Sequence, residues 1–289
     1  MIEQDLLHRF LFEELGIRGE WVKLTTSWQS AKHYQKGPQN AQLQLGQALA
    51  AVVMLSATIK FTGSMILQAQ GVGDFKALVA QSTHDRKLRG LIRSNDNVPA
   101  GSLKTMFGKG QLVLTIEPDN AQPYQGIVPL QGRNLAAALE TYFEQSEQLK
   151  TRLWLFADET HAAGLLLQEL PSQDNDKADW DRVEMLADTV TEQEMLELDC
   201  GHLLYRLFNE ENVRLFDAET VEFQCTCSRP RIERTLRAMG KDELERLLQE
   251  QGSIQVGCEF CNEQYLFDSF DVETLLFQTS IANQSDTRH

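Results

Sequence analysis

Four of the five cysteines in this 289-residue sequence lie within 37 residues of one another. Cys225 and Cys227 form one close pair, and Cys258 and Cys261 form a second pair thirty residues later. Zn²⁺ prefers four tetrahedral ligands and accepts four cysteine thiolates. No histidine occurs between residues 203 and 288, so these four thiols are the only complete set of soft ligands in the region. The spacing therefore predicts one zinc site made of Cys225, Cys227, Cys258 and Cys261.

The size of the surrounding segment strengthens this prediction. Residues 223–277 are roughly 55 residues with few apolar positions, and a domain this small is marginal without a covalent or metal staple. Binding of a structural zinc ion contributes about 10–16 kcal/mol to the folding of small metal-dependent units. We therefore expect the segment to unfold when its metal is removed.

Cysteine thiolates are also the groups that oxidants attack. Four cysteines can be joined in two disulfides in three different ways, and proximity favours Cys225–Cys227 together with Cys258–Cys261. A disulfide within Cys225-Thr226-Cys227 is awkward, since two extended residues span roughly 6.6 Å, near the upper limit for bridged Cα atoms. Closing it should bend the backbone away from its metal-bound form. On spacing alone, a plain structural zinc site and an oxidation-sensitive switch explain the pattern equally well.

The elements before the cysteines predict an α+β protein with a mixed α/β N-terminal domain. Apolar residues recur at helical spacing in residues 5–15, 41–60 and 135–143. Short apolar runs bounded by turn residues predict strands. These strand predictions cover residues 65–70, 77–80, 112–116, 127–130 and 152–157, with a further apolar run at 164–170.

An acidic segment follows the first domain. Residues 171–224 contain fifteen acidic and four basic residues, a net charge of −11 out of −15 for the whole chain. Residues 172–181 suggest an exposed loop, and helical spacing resumes through Val183, Leu186, Val190, Met195 and Leu198. This stripe either packs on the first domain or binds a partner. We predict three parts: residues 1–172, an acidic, largely helical linker at 173–222, and a cysteine domain at 223–289 with a disordered tail from residue 283.

The cysteine domain should contain two short helices, at residues 232–239 and 243–248, and two strands, at 253–256 and 264–267. Cys200 lies apart from the other cysteines in a helical stretch, where a small buried hydrophobic role is expected. Residues 1–5 lack a basic region followed by an apolar run, and the apolar run near residues 48–55 is too short to span a membrane. These features predict a cytoplasmic protein that does not bind membranes.

The context of the cysteines resembles that of the heat-shock protein 33 family, the redox-regulated 33 kDa chaperonins. The resemblance covers Phe223-Gln224-Cys225-Thr226-Cys227-Ser228-Arg229 and Val256-Gly257-Cys258-Glu259-Phe260-Cys261, followed by Tyr265 and Phe267. It extends to Tyr142-Phe143, Ser146-Glu147-Gln148 and the run Ala163-Gly164-Leu165-Leu166-Leu167-Gln168. Family members often have a second glycine near Ala162-Ala163-Gly164, a difference without functional consequence.

The resemblance implies a molecular chaperone without enzymatic activity. It implies that the reduced, zinc-bound form is inactive, and that oxidation joins neighbouring cysteines in two disulfides and releases zinc. The cysteine domain and acidic linker then unfold, and the activated protein, often a homodimer, holds unfolding client proteins without ATP. This favours the switch over the plain structural site.

Two other functions remain open at this stage. A zinc-ribbon regulator that binds nucleic acid would use the basic cluster Arg229, Arg231, Arg234 and Arg237, although the acidic net charge argues against nucleic acid as a partner. A disulfide oxidoreductase would use Cys258 and Cys261, but their pair lacks the βαβ setting of thioredoxin-like sites. The glycine-rich turn Gly71-Val72-Gly73-Asp74 lacks the lysine of a phosphate-binding loop.

Overall fold

The computed structural model describes residues 5–171 and 177–276. The chain divides into two compact units, Met1–Gln224 and Cys225–His289. Helices and strands alternate irregularly along both, which confirms the predicted α+β class. In chain order the elements are β1 (Leu6–Phe12), β2 (Ile17–Leu24), α1 (Thr26–Tyr34), α2 (Gln39–Thr58), β3 (Gly63–Gly71), β4 (Phe75–Thr83), β5 (Lys87–Ser94), α3 (Leu103–Phe107), β6 (Gly110–Pro118), β7 (Tyr124–Pro129), α4 (Leu135–Tyr142), a π-helical turn (Phe143–Glu147), β8 (Thr151–Ala157), β9 (Ala162–Glu169), α5 (Lys177–Ala187), α6 (Glu192–Glu197), α7 (Cys200–Phe208), β10 (Val213–Leu215), β11 (Glu219–Thr220), β12 (Glu222–Phe223), α8 (Arg229–Met239), α9 (Lys241–Gln251), β13 (Ile254–Gly257) and β14 (Gln264–Phe267).

The first unit contains two six-stranded sheets with α2 between them. The first sheet has the order β10-β1-β2-β9-β8, with β11 also paired to β1, and its strands are antiparallel. The second has the order β12-β5-β4-β3-β6-β7, in which only the β12–β5 pair is parallel. Alanine, leucine and valine side chains of α2 are buried all around the helix, as expected for a helix covered on every side.

Helix α2 is the one helix in the described part of the chain that is long and apolar enough to cross a membrane by length and composition. Of its most apolar window, 67% is buried inside the protein, where it forms the shared core of the two sheets. That placement is typical of the central helix of a folded domain.

The acidic segment packs on the outer face of the first sheet. Helices α5, α6 and α7 bury Val183 and Met195 completely, and Leu186, Val190 and Leu198 pack beside them against the sheet. The interpretation of this stripe as a helix face packed on the first domain is therefore confirmed for the folded state. The three-part division of the chain stays a prediction.

Two local predictions were wrong. Residues 5–15 form strand β1 and a turn instead of a helix. Strand β1 is covered on both faces, with Leu7 in the core around α2 and Phe10 and Phe12 on the opposite face. A strand buried on both faces has no polar alternation, so its apolar pattern imitates a helix.

The other wrong prediction is the exposed loop at residues 172–181. Its last five residues begin α5, where Asp179 lies in the first turn and Trp180 is buried. An acidic residue in that turn favours a helix because it complements the positive end of the helix dipole. Residues 172–176, residues 1–4 of the N-terminus and the predicted disordered tail lie outside the described residues. The remaining helix and strand predictions are confirmed.

Candidate metal centre

The four predicted cysteines come together at one point in the second unit. Their Sγ atoms all lie within 4.8 Å of one another. Two close contacts join the two halves of the pattern: Cys225 Sγ lies 3.6 Å from Cys258 Sγ, and Cys227 Sγ lies 3.4 Å from Cys261 Sγ. Sequence spacing predicted which residues assemble, and the fold adds these contacts between the two halves.

A β-hairpin positions the second pair. Strands β13 and β14 are antiparallel, and Cys258 begins the turn between them. The backbone N–H of Cys258 donates to the carbonyl of Glu263, and that of Asn262 donates to the carbonyl of Cys258. Asn262 has a φ of 59°, a left-handed conformation that asparagine tolerates. The tight turn leaves Cys261 pointing to the same side as Cys258.

The first pair lies just before α8, in a segment that is neither helix nor strand. Both of its thiols face the hairpin, since their sulfurs lie within 4.8 Å of those of Cys258 and Cys261. Ser228 is the N-cap of α8 and Pro230 lies in its first turn, which ends this segment directly after Cys227. The helix itself is held by Arg229, whose guanidinium lies 4.3 Å from the centre of the Phe267 ring and 2.7 Å from the Asp271 carboxylate.

Burial and hydrogen bonds to sulfur give Cys225, Cys258 and Cys261 different pKa values. Burial opposes ionisation of Cys225, but the N–H of Cys227 and the neighbouring thiols donate to its sulfur and lower its pKa to about 7. Burial raises the pKa of Cys258, against the opposing effect of the N–H groups of Phe260 and Cys261. Burial also raises the pKa of Cys261. The Cys225 thiolate therefore forms more readily than those of Cys258 and Cys261.

This arrangement fits a tetrahedral metal ion. Zinc–sulfur bonds of about 2.3 Å in a tetrahedron place sulfur atoms about 3.8 Å apart, close to the two separations of 3.6 and 3.4 Å between the halves. A divalent cation would also remove the remaining protons by stabilising all four thiolates. The cluster can therefore hold a metal ion, with zinc as the ion that best suits four thiolates. Metal ligation by these residues stays a prediction.

Sequence reasoning missed one polar contact of the cluster. The Tyr265 hydroxyl donates to Cys227 Sγ across 3.2 Å, and this hydrogen bond raises the pKa of the tyrosine. Tyr265 faces the cluster because it pairs with Val256 across the hairpin. The only sign of this contact in the sequence is an aromatic residue four positions after the last cysteine.

The other candidate residues have different surroundings. Cys200 is 2% exposed in the apolar layer under α7, and burial raises the pKa of its thiol to about 12, as expected for a structural cysteine. Two residues of the basic cluster are engaged within the second unit, since Arg229 contacts Asp271 and Arg237 lies 3.8 Å from Glu233.

Fold and site together define a two-unit α+β protein whose smaller unit is closed around a four-thiol centre. The family model described as Hsp33 protein matches residues 5–268, and the chain therefore belongs to the Hsp33 family. The chain is 58% identical over 289 residues to a protein named 33 kDa chaperonin from Nitrosococcus oceani, with 100% of both chains covered. It is 42% identical over 295 residues to a 33 kDa chaperonin from Aeromonas salmonicida, again with 100% of both covered.

A solved structure agrees with this fold. The crystal structure of the 33 kDa chaperonin from Thermotoga maritima superposes with a TM-score of 0.83 at 22% identity, covering 96% of this chain and 99% of that one. The family and the names of these relatives support a chaperone. Chaperonins are not enzymes.

Proposed function

We propose that the chain is a redox-regulated, ATP-independent chaperone, a holdase that keeps unfolding proteins from aggregating under oxidative stress. Membership of the Hsp33 family supports the chaperone part. The observation that carries the regulation is the cluster of four thiols within 4.8 Å, in a unit with a small core. We propose a cytoplasmic location, where thiols stay reduced at rest.

In the reduced form, Cys225, Cys227, Cys258 and Cys261 hold one Zn²⁺. When bound, the ion keeps all four sulfurs as thiolates and joins the segment before α8 to the β13–β14 hairpin. Its affinity becomes folding free energy of the second unit. The reduced form is inactive because its apolar surfaces stay covered.

Oxidation removes the four ligands in two equivalent steps. In each step a pair of thiolates loses two electrons as one S–S bond forms. Hydrogen peroxide, the oxidant, accepts the two electrons together with two protons from the solvent and becomes two molecules of water. The pairs we propose, from the family resemblance, are Cys225–Cys227 and Cys258–Cys261. After both disulfides have formed, none of the four cysteines remains a thiolate, so the chain can no longer bind the metal ion.

The proposed pairing differs from two close contacts in the folded protein. Cys225 Sγ lies 3.6 Å from Cys258 Sγ, and Cys227 Sγ lies 3.4 Å from Cys261 Sγ. Because a disulfide bond is only about 2.05 Å long, neighbour pairing requires the two sulfurs of each half to leave these positions and approach each other. This supports a mechanism in which thiol chemistry and unfolding of the second unit occur together, and in which heat assists activation.

The acidic segment provides the surface to be exposed. Helices α5–α7 cover an apolar face of the first sheet, and large side chains are buried on both sides of this contact. Release of the helices would expose both apolar faces to an unfolding client, with no nucleotide required. Such exposed faces would also allow the oxidised protein to form a homodimer.

The test follows aggregation of a thermally unfolding client by light scattering, with protein pretreated with hydrogen peroxide at elevated temperature. Zinc release and free thiols are measured on the same samples. We expect loss of one zinc and four thiols with suppression of scattering, and no suppression by reduced protein. Cys200→Ala is the matched control, since that thiol lies outside the cluster and the variant should behave as wild type. Zinc loss without suppression would disprove the holdase.

The alternative, a nucleic-acid-binding zinc regulator, has weaker support. Two arginines of its basic cluster contact acidic residues of the same unit, and the chain carries a net charge of −15. Tight, salt-sensitive binding of DNA or RNA in a low-salt filter assay would revive it.

A further inference from the structure

The last residues of the first unit form a strap along the edges of both sheets. We define the strap as residues 213–224. Strands β10 and β11 pair with β1 at the edge of the first sheet, and β12 pairs with β5 at the edge of the second. The strap ends directly before Cys225, the first cysteine of the cluster. Both sheet edges are therefore covered by the segment that precedes the thiol centre.

Strand β12 lies in a slot between α1 and β5. It runs parallel to β5 with Glu222 opposite Lys87, and it also contacts α1. The N–H of Glu222 donates to the carbonyl of Arg86 across 3.1 Å, and the N–H of Gln224 donates to that of Leu88 across 2.9 Å. These hydrogen bonds use only main-chain atoms, so they can hold an extended segment of any sequence.

Two side chains of the strap fill apolar positions of the slot. Val221 is 3% exposed and belongs to the core around α2. Phe223 stacks on Tyr34 of α1, with ring centres 5.6 Å apart and planes 18° from parallel. Between them, Glu222 is exposed and contacts Lys87. The slot therefore accepts an apolar residue, then any residue, then an aromatic residue, the alternation of an ordinary β-strand.

The walls of the slot are fixed by residues outside the strap. Both Asp5 carboxylate oxygens accept N–H groups at the start of α1, with the bond from Ser27 at 2.6 Å, while the Asp5 carbonyl accepts the N–H of Val221 across 2.9 Å. Further along β5, the Gln35 side chain accepts the N–H of Ile92 and closes the edge. The slot is thus bounded by Asp5, α1 and β5, none of which belongs to the strap.

We infer that the slot between α1 and β5 is a binding site for an extended apolar-x-aromatic segment of an unfolding polypeptide, and that the strap occupies it at rest. The inference rests on the proposed holdase function and names one place where a client docks. An exposed sheet edge binds an incoming strand through main-chain hydrogen bonds, and pockets for alternate side chains add selectivity. A chaperone needs such tolerance, because alternating segments occur in the strands of every unfolding client.

The experiment uses a fluorescein-labelled peptide with the sequence of residues 217–224, Asp-Ala-Glu-Thr-Val-Glu-Phe-Gln, and the full-length protein. Anisotropy should show binding to the oxidised protein and none to the reduced protein. A peptide with asparagine and serine in place of its valine and phenylalanine should not bind. In a second arm, the reduced double variant V221D/F223S should bind the wild-type peptide, since its own strap no longer fills the slot.

Two matched variants locate the site. In oxidised protein, Tyr34→Ala should weaken peptide binding about tenfold, the loss of one aromatic stacking partner. Tyr124→Ala, which removes an exposed tyrosine from the opposite edge of the same sheet, should leave it unchanged. The peptide should also compete with a client for the oxidised protein.

Three results would overturn the inference. They are equal binding by the Tyr34 variant and wild type, binding without competition against the client, and a natively folded double variant that binds no peptide. Peptide binding that disappears as the oxidised protein dimerises, and returns on dilution, would assign the slot to the strap of a second copy. The double variant is tested without oxidation, so its peptide binding does not depend on the redox mechanism. If it binds no peptide, the docking site is disproved, but suppression of light scattering by the oxidised protein can still support the holdase.

Discussion

The two units of this protein are stabilised by different means. The first surrounds a twenty-residue buried helix with two six-stranded sheets, and its core joins elements from β1 to β12. The second buries few apolar side chains for its length. Its hydrophobic core consists of Leu236, Leu244, Ile254, Phe267, Val272 and Leu275.

This difference separates the roles of the units. Apolar burial stabilises the first unit, which has no need of the thiol centre. A metal ion held by the four thiolates, as proposed above, would contribute about 10–16 kcal/mol to the second unit, which equals or exceeds the whole stability of a typical domain. A change in thiol chemistry therefore acts directly on the second unit, which follows the strap in the chain.

The largest expected effect comes from removing the metal centre. Cys258→Ser, at an 8% exposed position of the cluster, should unfold the second unit and leave the first folded. Hydrogen exchange should show lost protection over residues 225–276, while α2 and the sheet strands around it keep theirs. Trp28 lies in that retained core, whereas Trp180 on α5 reports whether the acidic helices are released.

A chelator added to reduced wild-type protein should give the same pattern, reversed by added zinc. Cys200→Ala is the control, because its sulfur is outside the cluster. Protection that survives in the second unit of Cys258→Ser would show that its apolar core suffices, and the contrast between the units would fail.

The amino-acid sequence predicted the second unit better than the first. Its four cysteines have only one way to share a metal ion, and the two helices and the hairpin follow from local spacing and from Gly240 and Gly252 at helix ends. Strand β1 could not be predicted, since both of its faces are buried by elements far away in the chain.

The contacts that connect the regions were also beyond sequence reasoning. Phe223 was read only as part of the cysteine context, yet it stacks on Tyr34, which is 189 residues earlier in the chain. Asp5 caps α1 from outside the helix, where no capping pattern in the local sequence signals it. Such pairings depend on sheet order, and spacing within a single segment carries no information about sheet order.

A buried acid inside the first unit provides the next test. Glu20 is 2% exposed, and burial raises its pKa to about 8 despite nearby arginines. The native protein keeps this proton up to about pH 8, whereas the unfolded chain releases it near pH 4.3. Between these values unfolding releases one proton, so the stability falls as pH rises, by about 1.4 kcal/mol per pH unit at most.

Glu20→Gln should remove this dependence. Urea unfolding followed by tryptophan fluorescence reports the first unit alone, and from pH 5.5 to 8 the variant should gain about 3 kcal/mol relative to wild type. The exposed change Glu144→Gln is the control and should keep the wild-type slope. A parallel shift of wild type and Glu20→Gln with pH would show that Glu20 is already ionised in the folded protein.

The smallest expected effect concerns the attachment of the acidic helices to the first sheet. Arg152 on β8 contacts Glu184 on α5 and Asp188 directly after that helix, each across 3.1 Å, and Trp154 also donates to Asp188. These groups are partly exposed, so Arg152→Gln should cost no more than about 1 kcal/mol, which corresponds to up to about fivefold faster exposure of Trp180 after oxidation.

Arg182→Gln is the control. It breaks ion pairs to Asp179 and Glu211 that lie wholly within the acidic segment, and it should not accelerate the exposure of Trp180. Stopped-flow tryptophan fluorescence after peroxide addition compares the two variants. Equal rates of Trp180 exposure in the two variants would mean that the Arg152 ion pairs do not hold α5 on the sheet, and that apolar contacts alone control its release.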